Sequence, residues 1–90
     1  MDFYCRVKIK SGVLLPLEEV FSLALHEDWI RKNLTWINSR FAVSQAFGAN
    51  GEAYLILFDL TLPGCKALIR ERDRKVIFSG IPPKDLFAFQ

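Results

Sequence analysis

The side chains able to do chemistry are few and scattered. His26 is the single histidine of the chain, so a classical general base is either His26 or a carboxylate. It stands beside Glu27 and Asp28. Those two acids are adjacent, and neighbours on a helix do not share a face, so they are badly placed for paired acid–base work. Cys5 and Cys65 are the only thiols. A Cys–His nucleophile would need one of them to meet His26 in space, and no spacing in the chain calls for that. Cys5 falls on the apolar side of an alternating stretch and reads as a small buried hydrophobe. Cys65 follows Pro63-Gly64 and precedes Lys66, a cation that lowers a thiol pKa where the thiol is exposed; it reads as an ordinary loop thiol. Asp59 is the one charged residue inside a long apolar run. A carboxylate there is either a catalytic acid or the partner of Arg70 or of a turn N–H, and the structural role is the expectation.

No Gly-rich phosphate loop, dinucleotide fingerprint, HExxH pair or nucleophile elbow is present. Two isolated cysteines without a CxxC or a His pair give no zinc site. The sequence thus assigns no catalytic residue, no metal ligand and no cofactor. The expectation is a non-enzymatic domain.

Three binding surfaces are conceivable. On the first strand, Tyr4, Arg6, Lys8 and Lys10 share one face, an aromatic among cations such as a single-stranded nucleic acid uses. The basic segment 66–75, with Arg70, Arg72, Arg74 and Lys75, would extend it. Interleaved Glu71 and Asp73 make it a poor phosphate clamp. Its plainer reading is a solvated, edge-protecting hairpin. Phe21, Trp29 and Trp36 could line a small-ligand pocket between helices and sheet, although packing in the core is the simpler use of such rings. Leu86, Phe87 and Phe89 place three large apolar side chains in a terminal segment, 81–90, that is expected to dock on the sheet or on a partner subunit.

Elements that hold these groups follow from period and punctuation. Ninety residues make one domain, and a chain of this size buries only ~60–65% of its unfolded surface. At 51% hydrophobic and 13% aromatic it carries more apolar material than such a core needs, which points to an interface. Residues 2–10 alternate, with Phe3, Cys5, Val7 and Ile9 inward: a half-buried strand. Pro16 opens a helix whose first turn holds Glu18 and Glu19, with Leu17, Val20, Phe21, Ala24 and Leu25 on one face. Asp28 is expected to cap a second helix carrying Ile30, Leu34, Ile37 and Phe41 at helical spacing, ending near Asn38. A single bent helix over 17–38 is the alternative.

The rest reads as an antiparallel meander, 41–79. Asn50-Gly51 marks a hairpin turn. Residues 52–60 are apolar on both faces, as a strand buried on both sides must be. Pro63-Gly64 turns the chain into a further hairpin, 65–71 and 75–79; a helix over 63–74 is the competing reading. Pro82-Pro83 ends regular structure. The fold class is therefore α+β, a mainly antiparallel sheet in the order β-α-α-β-β-β-β with a helical layer on one face.

One helical layer covers one face of that sheet, so the other requires the tail, curvature or a second subunit. The expected partner is another copy of the chain, with another protein or nucleic acid as alternatives. Net charge is only +2, too small to argue for nucleic acid by itself. No apolar stretch approaches the ~18 residues of a membrane span. No charged-then-apolar leader precedes the first strand, and two free thiols suit a reducing cytoplasm.

Overall fold

The computed structural model describes residues 3–7, 13–62 and 64–86. Among these residues seven strands form one antiparallel sheet: β1 (Tyr4–Arg6), β2 (Leu14–Pro16), β3 (Thr35–Trp36), β4 (Phe41–Phe47), β5 (Ala53–Asp59), β6 (Lys66–Arg70) and β7 (Val76–Ser79). Three helices, α1 (Leu17–Leu23), α2 (Glu27–Asn33) and α3 (Pro83–Leu86), complete an α+β fold. The strand order is β2-β1-β4-β5-β6-β7, and β3 pairs with the half of β4 that β1 leaves open. Where β1 and β3 meet along β4, the Ser44 hydroxyl donates to the Arg6 carbonyl at 2.7 Å, so this buried hydroxyl is satisfied across the seam.

β5 is the centre, paired along its length with β4 and over five positions with β6. Tyr54, Ile56 and Phe58 face α1 and α2; Leu55, Leu57 and Asp59 face away. On the helical side Leu17, Val20, Ile30 and Leu34 pack on Cys5, Ala42, Ala46, Ile56, Phe58 and Leu68. The helix-facing positions of β4 are Ala42, Ser44 and Ala46, all small. Short side chains leave room for the rings above them. Phe21 stands edge-on to Phe58 at 6.3 Å and to Phe78 at 6.1 Å, and Phe3 to Tyr54 at 4.8 Å.

The turns follow their residue types. Gly51 takes a φ of +80, and the Asn50 carboxamide accepts the Glu52 N–H at 3.0 Å, closing the β4–β5 connection. The chain over 66–79 is a hairpin, which settles the choice between strand pair and helix there. Its tip is tied by Asp73, whose carboxylate accepts from Arg70 at 2.6 and 3.0 Å and from the Lys75 N–H at 3.1 Å.

The two helices expected in this region are present as separate short helices, with no single bent one, and they depart from expectation in two ways. α2 begins after His26, whose side chain makes no capping bond, so Asp28 lies in the first turn and not at the cap. And α2 stops at Asn33 instead of Asn38. Asn33 turns its carboxamide back to the Trp29 carbonyl at 2.8 Å, Leu34 is extended (φ −115, ψ 161), and β-branched Thr35 enters β3. The spacing of Ile30, Leu34, Ile37 and Phe41 is therefore not one helical stripe. Ile37 is exposed, and Phe41 lies in β4 on the opposite face of the sheet.

Two further elements escaped the sequence reading. β2 sits immediately before α1, and Pro16 serves both as its last residue and as the helix cap. α3 begins at Pro83, where a missing N–H costs nothing in a first turn, so the Pro-Pro pair starts a helix as well as ending the sheet.

Candidate functional site

The face of the sheet away from α1 and α2 concentrates the features that packing alone leaves unexplained. β4 sends Phe41, Val43, Gln45 and Phe47 to this side, so its bulky residues point away from the helices. Across the register they meet Asp59, Leu57, Leu55 and Ala53. One end of the face is closed: Ile81 and Leu86 pack on Phe41, Leu57, Ala67 and Ile69, all buried. Further along, Val43, Phe47 and Leu55 are only half-buried, while Tyr4, Leu14 and Val76 are exposed.

An ion cluster fixes the closed end. The Asp59 carboxylate is fully buried and accepts from Arg40 Nη2 at 2.7 Å and Arg40 Nε at 3.1 Å. Its second oxygen accepts from the Thr61 N–H at 2.9 Å and the Thr61 hydroxyl at 2.7 Å. Arg40 also donates to Asp85 of α3 at 3.2 Å and lies over the Phe41 ring at 4.9 Å. Burial pushes the Asp59 pKa up, but the Arg40 and Thr61 hydrogen bonds outweigh it, and the group is held below the ordinary carboxylate value. The bond to Asp59, with a smaller push from Asp85, holds Arg40 firmly protonated. Asp59 is thus a structural anion whose partner is Arg40. Of the two partners suggested by sequence, the turn N–H is present as that of Thr61, whereas Arg70 belongs to Asp73.

Other nominated residues are dispersed. Cys5 is buried beneath the helices; burial, with a smaller push from Glu18, raises its thiol to about 12, which removes it as a thiolate nucleophile. His26 is exposed at the α1–α2 junction, and Cys65 packs at the margin of the far-face cluster. Among the described residues no group of three or more His, Cys, Asp or Glu side chains gathers as metal ligands.

The three candidate binding surfaces fare differently. Tyr4 is exposed, and Arg6 caps the Phe47 ring at 5.4 Å. Lys8 and Lys10 lie outside the described residues. Arg70 is bound to Asp73, and Arg72 Nε stands 3.1 Å from Glu52, so carboxylates already occupy two cations of the basic hairpin. Arg74 and Lys75 are exposed beside them. Phe21, Trp29 and Trp36 pack against the helical-side core. Lys66 covers Phe21 at 4.3 Å; Arg31 covers Trp36 at 4.2 Å, and the Trp36 indole N–H donates to the Arg31 carbonyl at 3.3 Å. These rings close the helix–sheet layer at its rim.

A cavity of about 290 Å³ lies instead on the far face, between β7 and α3, walled by Ile69, Val76, Ile81, Pro83 and Leu86 with Arg74 and Ser79 at its polar side. Of the tail residues, Leu86 is buried against the sheet, whereas Phe87 and Phe89 lie outside the described residues. Ile81, Val76 and Ile77 were not singled out by sequence; the signal was the apolar run 76–78 on the last strand of a meander, an edge by position. Among the described residues no helix is long and apolar enough to cross a membrane. Comparison of the chain with known protein families, with curated proteins and with solved structures returns no match.

Proposed function

We propose that this protein is a non-enzymatic protein–protein interaction module that assembles with a second copy of itself through the helix-free face of its sheet. The observation that carries this is the polarity of β4. Its small residues, Ala42, Ser44 and Ala46, lie under the helices, and Phe41, Val43 and Phe47 lie on the side where Ile81 and Leu86 reach only one end. A chain that met solvent on that side would gain from the reverse arrangement. Exposed Val76 at the β7 margin of that side, beside the cavity walled by Ile69, Ile81 and Leu86, is then apolar surface that a second copy can dehydrate, at about 25 cal/mol for each Å² removed from water. The scattered chemistry supports the non-enzymatic half of the reading: the buried acid is engaged by Arg40 and Thr61, and the most buried thiol is held protonated.

Size-exclusion chromatography with light scattering tests this. At ~100 μM the chain is expected to run above its 10.3 kDa monomer mass, and removal of residues 87–90 is expected to change either that mass or the thermal midpoint. A strict monomer at that concentration contradicts the proposal.

A further inference from the structure

The strand path β2-β1-β4-β5-β6-β7 ends in two edges among the described residues, and they differ. At one end β2 is three residues long and finishes in Pro16, which has no N–H to offer a neighbouring strand. At the other end β7 reads Val-Ile-Phe-Ser, without a charge or a proline, and no strand flanks it among the described residues. Val76 and Ile77 are 41% and 40% exposed there.

The ladder fixes which backbone groups of β7 face outward. Gly80 N–H donates inward to the Lys66 carbonyl and Lys75 C=O accepts inward from Arg70 N–H, both at 2.8 Å. Between them the register shifts: Ile69 pairs with Val76 and Leu68 with Phe78, so Ile77 is an added residue. With 75, 78 and 80 turned inward, Val76 and Ser79 turn their amides and carbonyls away from β6. Both side chains also line the far-face cavity, so they project to the same side of the sheet.

Resting on the self-association reading above, we propose that the β7 edge pairs antiparallel with the β7 edge of the second copy, Val76 of each chain opposite Ser79 of the other. Directly opposite residues in a ladder share a face, so each Val76 stands at the mouth of the partner copy's apolar cavity, beside Ser79. The arrangement is self-complementary and closes on itself as a two-fold dimer. Charge selects the direction. Arg72, Arg74 and Lys75 precede Val76. Antiparallel pairing sets Lys75 against Gly80 of the other copy, whereas parallel pairing stacks Lys75 on Lys75, and like charges directly opposite are destabilising. The added residue twists the edge and limits regular pairing to the stretch between Val76 and Ser79.

Amide hydrogen exchange on the whole chain tests it. On raising the concentration from ~5 to ~500 μM, exchange at the Val76 and Ser79 amides is expected to slow about tenfold, while exposed amides of the β4–β5 turn stay unchanged. Val76→Lys, at an exposed position, is expected to abolish that slowing and leave the circular dichroism of the monomer intact; should the variant fail to fold, the exchange of the unaltered chain decides. A dimer whose β7 amides exchange at a concentration-independent rate overturns the edge pairing and leaves self-association standing. A monomer at every concentration overturns both.

Discussion

Ile56→Ala is expected to destabilise the domain by about 3–4 kcal/mol. Ile56 is fully buried in the middle of β5, flanked across the ladder by Ser44 and Leu68 and covered by the α1–α2 layer. Truncation removes three carbons and leaves a void that strands paired on both sides cannot close. A domain of this length has roughly 5–13 kcal/mol in all, so the loss is a large part of the total. At about 4–8 °C for each kcal/mol, the thermal midpoint should fall by about 12–32 °C. The matching control is Leu25→Ala: Leu25 is 56% exposed, and a surface truncation of that kind changes stability by about 0.5 kcal/mol or less. Thermal or urea unfolding followed by circular dichroism, at one fixed protein concentration because association shifts the midpoint, separates the two. Similar losses for both variants would mean that β5 is not the centre of the core.

The second large effect is electrostatic. Asp59→Asn removes the charge that holds Arg40, and through Arg40 it loosens Asp85 and α3. Breaking a buried pair costs about 3–5 kcal/mol where the remaining charge stays buried; here the Arg40 side chain is one-third exposed and rehydrates, so about 2–3 kcal/mol is expected. The pH dependence has a definite sign. The folded carboxyl titrates below its unfolded value of about 3.9. In that window the unfolded chain binds more protons, and stability rises with pH. The contribution of Asp59 is complete above pH ~5 and is lost as the pH falls through the folded value. Urea unfolding from pH 7 to pH 2.5 should therefore show a wild-type advantage over Asp59→Asn that shrinks in acid. An advantage of the same size at pH 7 and pH 2.5 would show that the ion pair is not its source.

How much of this was legible in the sequence varies with the range of the forces involved. The meander was readable because strand period and turn chemistry are local. Asn50-Gly51 and the apolar run 53–60 specify their conformations almost without context, and the residues on each face of β1 and β5 follow from parity. The end of α2 was not readable. Ile30, Leu34, Ile37 and Phe41 obey a helical period by coincidence, because a helix turn and a following strand both place apolar residues three or four apart. What stops the helix is Asn33 bonding back to Trp29 and the strand slot beside β4, and the second exists only once β4 is in place. The partner of Asp59 was equally hidden: Arg40 and Arg70 both lie near strand ends, and only the register, which sets Phe41 opposite Asp59, brings Arg40 to it. That β5 carries large apolar side chains on the face away from the helices was legible in Leu55 and Leu57. That its exposed margin is β7, beside a cavity roofed by α3, was not, since it depends on how Pro82-Pro83 turns the chain back over Ile69.

Whether a second copy completes this sheet can be read by isotope-filtered NMR on a mixture of labelled and unlabelled chains. At ~500 μM the account predicts intermolecular nuclear Overhauser contacts from the Val76 methyl groups of one copy to Ser79 of the other, with none from the methyl groups of Leu17 or Val20 beneath the helices. Intermolecular contacts confined to the helical side, or their absence in a sample whose mass is that of a dimer, would contradict it.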